Sequence, residues 1–325
     1  MDSPVVVRAV AQRIQEQVSR VIVGKSATVE LVLVALLSEG HVLFEDVPGI
    51  GKTMLAKAVA RSIGGTFRRI QCTPDLLPTD VFGVSVYQQQ TETFHFHPGP
   101  IFSQVLLVDE INRATPRAQS ALLEAMEERQ VTIEGETRLL LRPFIVLATQ
   151  NPIELAGTFP LPEAQLDRFL MRLSLGYPTA EDEAAILDRF ERGSPLDQLQ
   201  PCTDLETLLA TVRQVRRVTV ATSVRDYLIA IVQATRTHPA LALGASPRAS
   251  LALRRAAQAL AAVRGRPFVL PDDIKTLATA VLGHRLLPTG HTRLRGTALQ
   301  DIVAEIVTGV PVPAEVPLPL GGEGT

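Results

Sequence analysis

Apolar residues follow two patterns in the first half of the chain: helical spacing and short continuous runs. Apolar residues at helical spacing predict helices, and short continuous apolar runs bounded by Gly, Pro and Asp predict buried strands. The predicted helices span 5–20, 28–38, 52–63 and 116–128, and the predicted strands span 41–44, 66–72, 105–108, 144–149 and 169–175. Strands that alternate with helices indicate an α/β fold with a mainly parallel five-stranded sheet flanked by helices.

The pattern changes after residue 178, where strand signals stop. Before that point, residues 130–141 alternate around Glu134-Gly135-Glu136 and predict a β-hairpin with glycine at its turn. The later segments with helical spacing are 179–191, 204–217, 223–236, 247–263, 271–282 and 297–308. We therefore expect an α/β core over 1–177, a smaller all-α domain over 178–309, and a disordered Pro/Gly-rich tail over 310–325.

Composition narrows the class of protein. The chain has 325 residues, of which 46% are hydrophobic and 20% charged, with a net charge of −2. These values exclude an intrinsically disordered chain. A near-neutral balance also argues against nucleic acid as the main partner, because neutralising phosphates needs a basic excess. Aromatic residues make up 4% and Trp is absent, which leaves little for base stacking.

Cysteine content and hydropathy predict a cytoplasmic protein. Cys72 and Cys202 are too few for a disulfide framework or a thiolate zinc site, and isolated thiols fit a reducing compartment. The start of the sequence lacks the features of a secretory signal. The longest apolar stretch, Leu31–Leu37, is far shorter than the roughly 20 residues of a membrane span, so no span is expected.

A glycine-rich segment joins the strand at 41–44 to the helix at 52–63. It reads Asp46-Val47-Pro48-Gly49-Ile50-Gly51-Lys52-Thr53, and a phosphate-binding loop requires this strand-to-helix context. Backbone N–H groups of such a loop point at a phosphate, assisted by the positive end of the following helix. Lys52 would reach the β- and γ-phosphates, and the Thr53 hydroxyl would hold Mg²⁺. The standard pattern has glycine where this chain has Asp46, so the match departs at one position.

Two adjacent acids form the second element. Asp109 and Glu110 directly follow the apolar run Val105–Val108, at the carboxyl end of a predicted strand, where ligands of open α/β sheets collect. Asp109 can hold Mg²⁺, directly or through water, and Glu110 is placed to polarise an attacking water. Two solvated acids that cap a strand are the structural alternative.

Three more polar residues are candidates for chemistry at the γ-phosphate. Asn151 ends the next apolar strand and could orient water there. Arg168 and Arg248 are candidates for stabilising charge on the γ-phosphate. Taken singly, Asn-Pro at 151–152 is a turn signal, and a surface arginine usually forms a solvated salt bridge.

Taken together, these segments resemble the MoxR family of AAA+ ATPases, and the resemblance runs from Val21 to about Leu286. Asp46 also looks tolerated in this family. The matching stretches are Val21–Gly24, Glu45–Thr53, Val108–Arg113, Ala121–Glu128, Ala148–Asn151, Phe159–Phe169 and Gly244–Ala249.

The resemblance implies roles for matching positions. Glu45–Thr53 corresponds to Walker A and Asp109-Glu110 to Walker B, while Asn151 resembles sensor 1. Arg168 looks like the finger supplied to a neighbour's ATP, and Arg248 looks like sensor 2. A helix-2 insertion is expected near 74–100, the hairpin near 130–141 is similar to the pre-sensor-1 insertion, and the helical domain corresponds to the lid. The remaining expected ATP contacts are Val23 and Gly24, in the segment that flanks adenine, with Pro48, Gly49, Ile50, Gly51 and Met54 in and after the loop.

The resemblance also implies ATP, Mg²⁺ and partners. Such proteins form hexameric rings with ATP between subunits and remodel client proteins in the manner of chaperones. Their usual partners carry a von Willebrand factor A domain and help to mature metal-containing targets. Two alternatives remain open: the ATPase subunit of a magnesium-chelatase-like complex, and, with less support from the charge balance, a nucleic-acid motor.

Overall fold

Strands and helices alternate in the first half of the structure, and helices dominate the second half. The structure is a computed structural model that describes residues 3–152, 157–191 and 193–313. In chain order, its elements up to the last strand of the sheet are α1 (Ser3–Val21), α2 (Ser26–Leu37), β1 (Val42–Glu45), α3 (Lys52–Ser62), β2 (Phe67–Gln71), α4 (Pro78–Phe82), β3 (Gly83–Gln88), β4 (Thr93–Pro98), β5 (Val105–Asp109), α5 (Pro116–Glu128), β6 (Gln130–Ile133), β7 (Glu136–Leu139), β8 (Ile145–Gln150), α6 (Glu163–Leu166) and β9 (Met171–Leu173). The later elements are α7 (Ala180–Glu191), α8 (Leu205–Val215), α9 (Thr222–Thr237), β10 (Leu241–Leu243), α10 (Pro247–Val263), α11 (Pro271–Leu282), β11 (Leu287–Pro288), α12 (Gly290–Leu294) and α13 (Leu299–Gly309).

Five parallel strands form the central sheet in the order β2-β5-β8-β1-β9, which confirms the predicted fold class. In β5 and β8 every residue except the last is buried, because helices cover both faces of the sheet. Since β5, β8 and β1 are neighbours and parallel, their carboxyl ends meet at one edge. That edge carries the polar residues that follow each apolar run.

The segment that leads into β1 is held by an ion cluster around the buried carboxylate of Glu39. Glu39 accepts hydrogen bonds from Arg129 and Arg142, which flank the two ends of the β6–β7 hairpin. Burial raises the pKa of Glu39, but the hydrogen bonds and charges of Arg142 and Arg129 outweigh that effect and leave the pKa lowered. The cluster therefore fastens the base of the hairpin to the start of the central strand.

His41 is a second buried polar anchor at the start of β1. Its Nδ1 accepts from the Val146 N–H at 3.0 Å, and its Nε2 lies 3.1 Å from the carbonyl oxygen of Met126. Because a carbonyl can only accept, Nε2 carries the proton and the ring is neutral. Burial lowers the pKa of His41 to about 4. His41 thus joins β1, β8 and the end of α5.

Two antiparallel hairpins extend from the sheet domain. One, β6–β7, lies within the predicted 130–141 region, and its two turn residues, Glu134 (φ 53°) and Gly135 (φ 84°), have the positive φ of a type I′ turn. The other, β3–β4, lies within 74–100, together with α4. Its strands are mostly exposed, although apolar and polar residues alternate over Phe94-His95-Phe96-His97. The resemblance predicted an insertion there but not its form.

Contact density divides the chain into two units. One spans Ala9–Val212, and the other contains the chain from Arg213 onward together with residues up to Arg8. The described part of the second unit is helical, and it contains two elements that were not predicted: the short helix α12 and a short antiparallel ribbon of β10 and β11. The domain boundary predicted at 177/178 follows the last sheet strand, whereas the first unit continues through α7, so that boundary stays a prediction.

Two further predictions from the sequence concern the Pro/Gly-rich tail and membrane-spanning helices. Residues 314–325 of the predicted tail lie outside the described residues. Among the helices that the structure describes, none combines the length and apolarity needed to cross a membrane.

Candidate nucleotide site

The glycine-rich loop between β1 and α3 forms an open cradle. Gly49 (φ 86°) and Gly51 (φ 95°) adopt backbone conformations that favour glycine, and apart from the adjoining residues no atom lies within 4 Å of where a Cβ would stand on either residue. Gly51 is the N-cap of α3, whose first N–H groups have no partner within the helix. An open concavity lined by backbone N–H groups at a helix N-terminus fits a phosphate group.

Lys52 lies folded over this loop. Its Nζ donates to the carbonyl oxygens of Asp46 (3.2 Å) and Val47 (3.1 Å). Burial lowers its pKa, whereas the nearby carboxylates of Asp46, Asp109 and Glu110 act in the opposite direction. The lysine therefore lies between the loop and the acids of β5, where an anion could replace its carbonyl partners.

Asp46, where the standard loop pattern has glycine, has a structural role of its own. The residue is buried, and its φ is not positive, so this position does not need glycine's conformational freedom. Its carboxylate accepts hydrogen bonds from the Ser174 hydroxyl (2.6 Å) and from the N–H groups of Leu175 (2.7 Å) and Gly176 (3.2 Å). The departure from the pattern therefore joins the loop to the segment that follows β9.

The two acids at the end of β5 share one partner. The Thr149 hydroxyl donates to Asp109 Oδ1 at 2.6 Å and accepts from the backbone N–H of Glu110 at 2.9 Å. Glu110 has a φ of 55°, an uncommon conformation for a residue with a side chain. Thr149, itself only 1% exposed, thus fixes both acids relative to β8.

Side chains of the neighbouring strand β2 contact the same acids from the other side. Arg69 Nη2 donates to Asp109 Oδ2 and to Gln71 Oε1, at 2.6 and 2.7 Å. Gln71 Nε2 donates to Glu110 Oε2 at 3.0 Å, and Arg113 Nη1 lies 3.2 Å from the same oxygen. The register explains the contact, because Gln71 pairs directly with Asp109 in the sheet.

These groups surround one cavity of about 370 Å³. The structure thereby brings together residues predicted from the loop, from the β5 acids and from the end of β8. The lining residues are Asp46, Pro48, Gly49, Gly51, Lys52, Thr53, Met54, Arg69, Gln71, Asp109, Glu110, Thr149, Gln150 and Asn151.

Other predicted residues lie outside this lining, in the part of the chain that the structure describes. Ile50 belongs to the loop without lining the cavity, and Val23 and Gly24 lie between α1 and α2. Arg168 lies just after α6, where its Nε is 3.2 Å from Glu127 Oε2 of α5. Arg248 is the second residue of α10, in the other compact unit. The roles predicted for these residues stay predictions.

The residues present fit magnesium bound together with a nucleotide. Within the described residues, no group of three or more His, Cys, Asp and Glu side chains could hold a metal alone. Mg²⁺ in nucleotide sites typically takes one or two carboxylates together with phosphate oxygens and water. Asp109 and the Thr53 hydroxyl, both in the cavity lining, would supply the protein's share, with Arg69 as the competing cation at Asp109.

Sequence reasoning missed Gln150, which lines the cavity, and three residues that contact the acids of β5: Arg69, Gln71 and Thr149. Each of these three lies in a predicted strand, but none belongs to a spaced motif. Strand order was the missing information, because only the placement of β5 between β2 and β8 brings these side chains to Asp109 and Glu110.

The fold and the loop together define a P-loop nucleotide-binding protein of the AAA class. The family model "ATPase family associated with various cellular activities (AAA)" matches residues 41–171, and a model of the AAA lid domain matches residues 233–306. These matches cover the sheet from β1 to the first residue of β9, and much of the helical unit.

Full-length relatives specify the family. The chain is 50% identical to the uncharacterized protein YeaC of Bacillus subtilis, over 92% of this chain and 94% of that protein. It is 43% identical to the Chaperone MoxR1 of Mycobacterium tuberculosis, over 94% of this chain and 83% of the relative. A crystal structure of a candidate ATPase from Cytophaga hutchinsonii matches with a TM-score of 0.90 and 37% identity, over 96% of this chain and 97% of that one. The chain belongs to the MoxR family of AAA+ ATPases, which confirms the resemblance.

Proposed function

We propose that this protein binds ATP with Mg²⁺ and hydrolyses it to drive the remodelling of other proteins. The backbone of the glycine loop and Lys52 bind the phosphates. Thr53 and Asp109 would hold Mg²⁺, which would neutralise charge on the phosphates. Glu110 polarises the attacking water, and Asn151 orients it.

One observation carries this proposal: Lys52, Asp109, Glu110 and Asn151 line a single cavity beside the open glycine cradle. Phosphoryl transfer depends on positioning and charge stabilisation more than on covalent chemistry by the protein. A cation beside the phosphate cradle and a carboxylate at the end of β5 supply both positioning and charge stabilisation. The four residues come from three different segments, so their convergence does not follow from any one motif.

Assembly into a ring, hexameric by resemblance, is the second part of the proposal. Arg168 lies outside the cavity lining of its own subunit, which supports its supply to the ATP of a neighbouring subunit. Arg248, at the start of α10, is proposed as sensor 2 and would stabilise charge on the γ-phosphate of ATP.

The client and partner remain at the level of class. The chaperone name of the MoxR1 relative supports remodelling of proteins, and a von Willebrand factor A domain protein is the proposed partner in metal-cofactor insertion or complex maturation. A cytoplasmic setting is proposed in keeping with the free thiols of Cys72 and Cys202. A chelatase-like role would instead require ATP-driven metal insertion into a tetrapyrrole when partner subunits are added.

The experiment separates binding from chemistry. Lys52→Ala should abolish binding of a fluorescent ATP analogue, whereas Glu110→Gln should retain binding and lower the hydrolysis rate by about 10²- to 10⁴-fold, as expected for a lost general base.

The matched controls use the same residue types at sites outside the cavity. Lys57→Ala lies on the same helix, α3, and the exposed Glu124→Gln lies on α5; both should behave as the parent. Unchanged ATP affinity in Lys52→Ala would reject the phosphate loop. Parental hydrolysis in Glu110→Gln would reject Glu110 as the group that polarises water.

A further inference from the structure

Asp46 is the residue of the phosphate loop that the proposed chemistry does not use. Its carboxylate receives three hydrogen bonds, all from consecutive residues of the segment 174–176. A carboxylate beside a phosphate site opposes the binding of an anion, because like charges repel. The side chain therefore needs a role that offsets this unfavourable charge.

The segment beyond β9 also contacts the end of the α1–α2 loop and the first turn of α2. The Thr28 hydroxyl donates to the Ser174 carbonyl at 3.3 Å, and Lys25 Nζ donates to the Tyr177 carbonyl at 2.8 Å. A Cβ on Gly24 would stand 2.1 Å from the carboxylate of Asp182 in α7, so glycine permits this close approach. Residues 174–182 are thus fastened on one side to the phosphate loop and on the other to residues 24–28.

We propose that Asp46 is a positioning residue that sets the distance between the phosphate-binding loop and the adenine-binding side of the site. This inference rests on the proposed function, including adenine contacts at Val23 and Gly24. Through residues 174–182, the Asp46 carboxylate holds residues 23–28 in register with the loop. ATP then meets both ends of its site in one arrangement, without an ordering step on binding.

The local structure favours a carboxylate at this position. Its two oxygens accept from a hydroxyl and two backbone N–H groups, one of them on the buried Leu175. Glycine would leave these donors without their acceptor, and a buried unsatisfied N–H is destabilising. With glycine at 46, the loop itself could form, because Gly49, Gly51 and Lys52 are unchanged, but segment 174–176 would lose its attachment.

The test compares a ligand that spans the whole site with one that occupies only the phosphate end. Binding of ATP and of inorganic tripolyphosphate is measured by calorimetry, with Mg²⁺, in the full-length parent and variants. In Asp46→Gly, the ratio of ATP affinity to tripolyphosphate affinity should fall roughly tenfold, a typical size for coupling between two sites. The ratio cancels the gain that both ligands obtain from loss of the negative charge.

A variant series separates hydrogen bonds from charge. Asp46→Asn has the charge of the glycine variant but keeps one acceptor oxygen, so its ratio should lie between those of the parent and Asp46→Gly. Ser174→Ala keeps the charge and removes one bond, and its ratio should fall slightly. Hydrogen exchange at the Leu175 and Gly176 amides should accelerate in Asp46→Gly, whose fold is checked by circular dichroism.

The outcomes distinguish this inference from the proposed function. In Asp46→Gly, an unchanged ratio means that both affinities change by the same factor. This result would overturn the positioning role while leaving ATP binding intact. If Asp46→Gly does not fold, an unchanged ratio in both Asp46→Asn and Ser174→Ala overturns it instead. If the parent binds neither ligand, or if Lys52→Ala binds both as the parent does, the proposed nucleotide site itself fails and the inference falls with it.

Discussion

Replacing Thr149 with valine should separate the geometry of the β5 acids from nucleotide binding. The change retains the β-branched shape and removes only the hydroxyl that joins Asp109 to the backbone of Glu110. Lys52 and the glycine loop are untouched. We therefore expect ATP affinity to stay within a few-fold of the parent, while hydrolysis falls.

The structure sets the expected magnitudes. Thr149→Val removes one hydrogen bond to a charged group, worth about 1.5–3 kcal/mol, and one between neutral groups, worth about 1 kcal/mol. Because the Asp109 side chain is 18% exposed and water can replace part of its loss, the free energy of unfolding should fall by about 2–3 kcal/mol. The Glu110 N–H bond also helps to hold the uncommon φ of 55°. Its loss lets the carboxylate move, and a displacement of about 1 Å can slow a reaction roughly 10²-fold.

The assay measures steady-state ATP hydrolysis, ATP affinity and urea unfolding on the same preparations. Thr149→Ser is the control, because serine restores the hydroxyl and should return hydrolysis to within a few-fold of the parent. Parental hydrolysis in Thr149→Val would refute the reasoning, since it would show that the acids keep their geometry without this bond. Equal losses in the serine and valine variants would also refute it, because serine keeps the hydroxyl and the effect would then not depend on this hydrogen bond.

Two further predictions concern assembly and pH. Subunits with Arg168→Ala and subunits with Glu110→Gln should each be inactive alone but recover hydrolysis when mixed, since a mixed interface can pair an intact Arg168 with an intact Glu110; co-assembled rings that stay inactive at every ratio would contradict a shared site. Protonation of His41 should contribute a loss of up to about 3 kcal/mol in the free energy of unfolding as the pH falls from about 6.5 to 4, because the folded-state pKa of about 4 lies below the unfolded value of 6.5 and the unfolded chain binds the proton first. Urea unfolding of His41→Gln should lack this component, and an identical pH dependence in both proteins would contradict it.

The sheet was predictable because its central strands are buried on both faces. Val105–Val108 and Ile145–Ala148 are apolar at every position, and such runs of strand length, between helices, have few other interpretations. Helix α5 was placed at its observed bounds because a proline begins its apolar periodicity and a hairpin follows it. Burial of both faces of a strand, or of one face of a helix, thus leaves a clear pattern of apolar residues in the sequence.

The β3–β4 hairpin and the β10–β11 ribbon left no such pattern. Both faces of β3 and β4 are mostly exposed, so the short alternation Phe94-His95-Phe96-His97 does not mark a buried face. The ribbon consists of strands of three and two residues, too short for any periodicity. Local pairing without a buried face can be found only once the tertiary structure is known.

The same distinction applies to the candidate site. Residues that contact a phosphate through one loop keep a fixed spacing, so Gly49, Gly51 and Lys52 could be found from sequence. Thr149 contacts the acids only because β8 lies beside β5 in the sheet. This strand order cannot be read from the amino-acid sequence. In the sequence, Asp46 was only a departure from the standard loop pattern. The structure explains it by a hydrogen bond from Ser174, which is 128 residues away along the chain.

Arg168 shows where the folded monomer stops short of the proposed site. In one subunit it pairs with Glu127, and both side chains are partly exposed, at 28% and 33%. Such pairs contribute about 0–1 kcal/mol, because water screens them and both side chains lose freedom. An arginine finger accelerates hydrolysis by about 10³- to 10⁵-fold, equivalent to roughly 4–7 kcal/mol of transition-state stabilisation. The ion pair within the subunit is therefore weak compared with the transition-state stabilisation proposed for Arg168 at a neighbour's γ-phosphate. Breaking the pair would cost little of that gain, so its presence does not oppose the proposed action across a subunit interface.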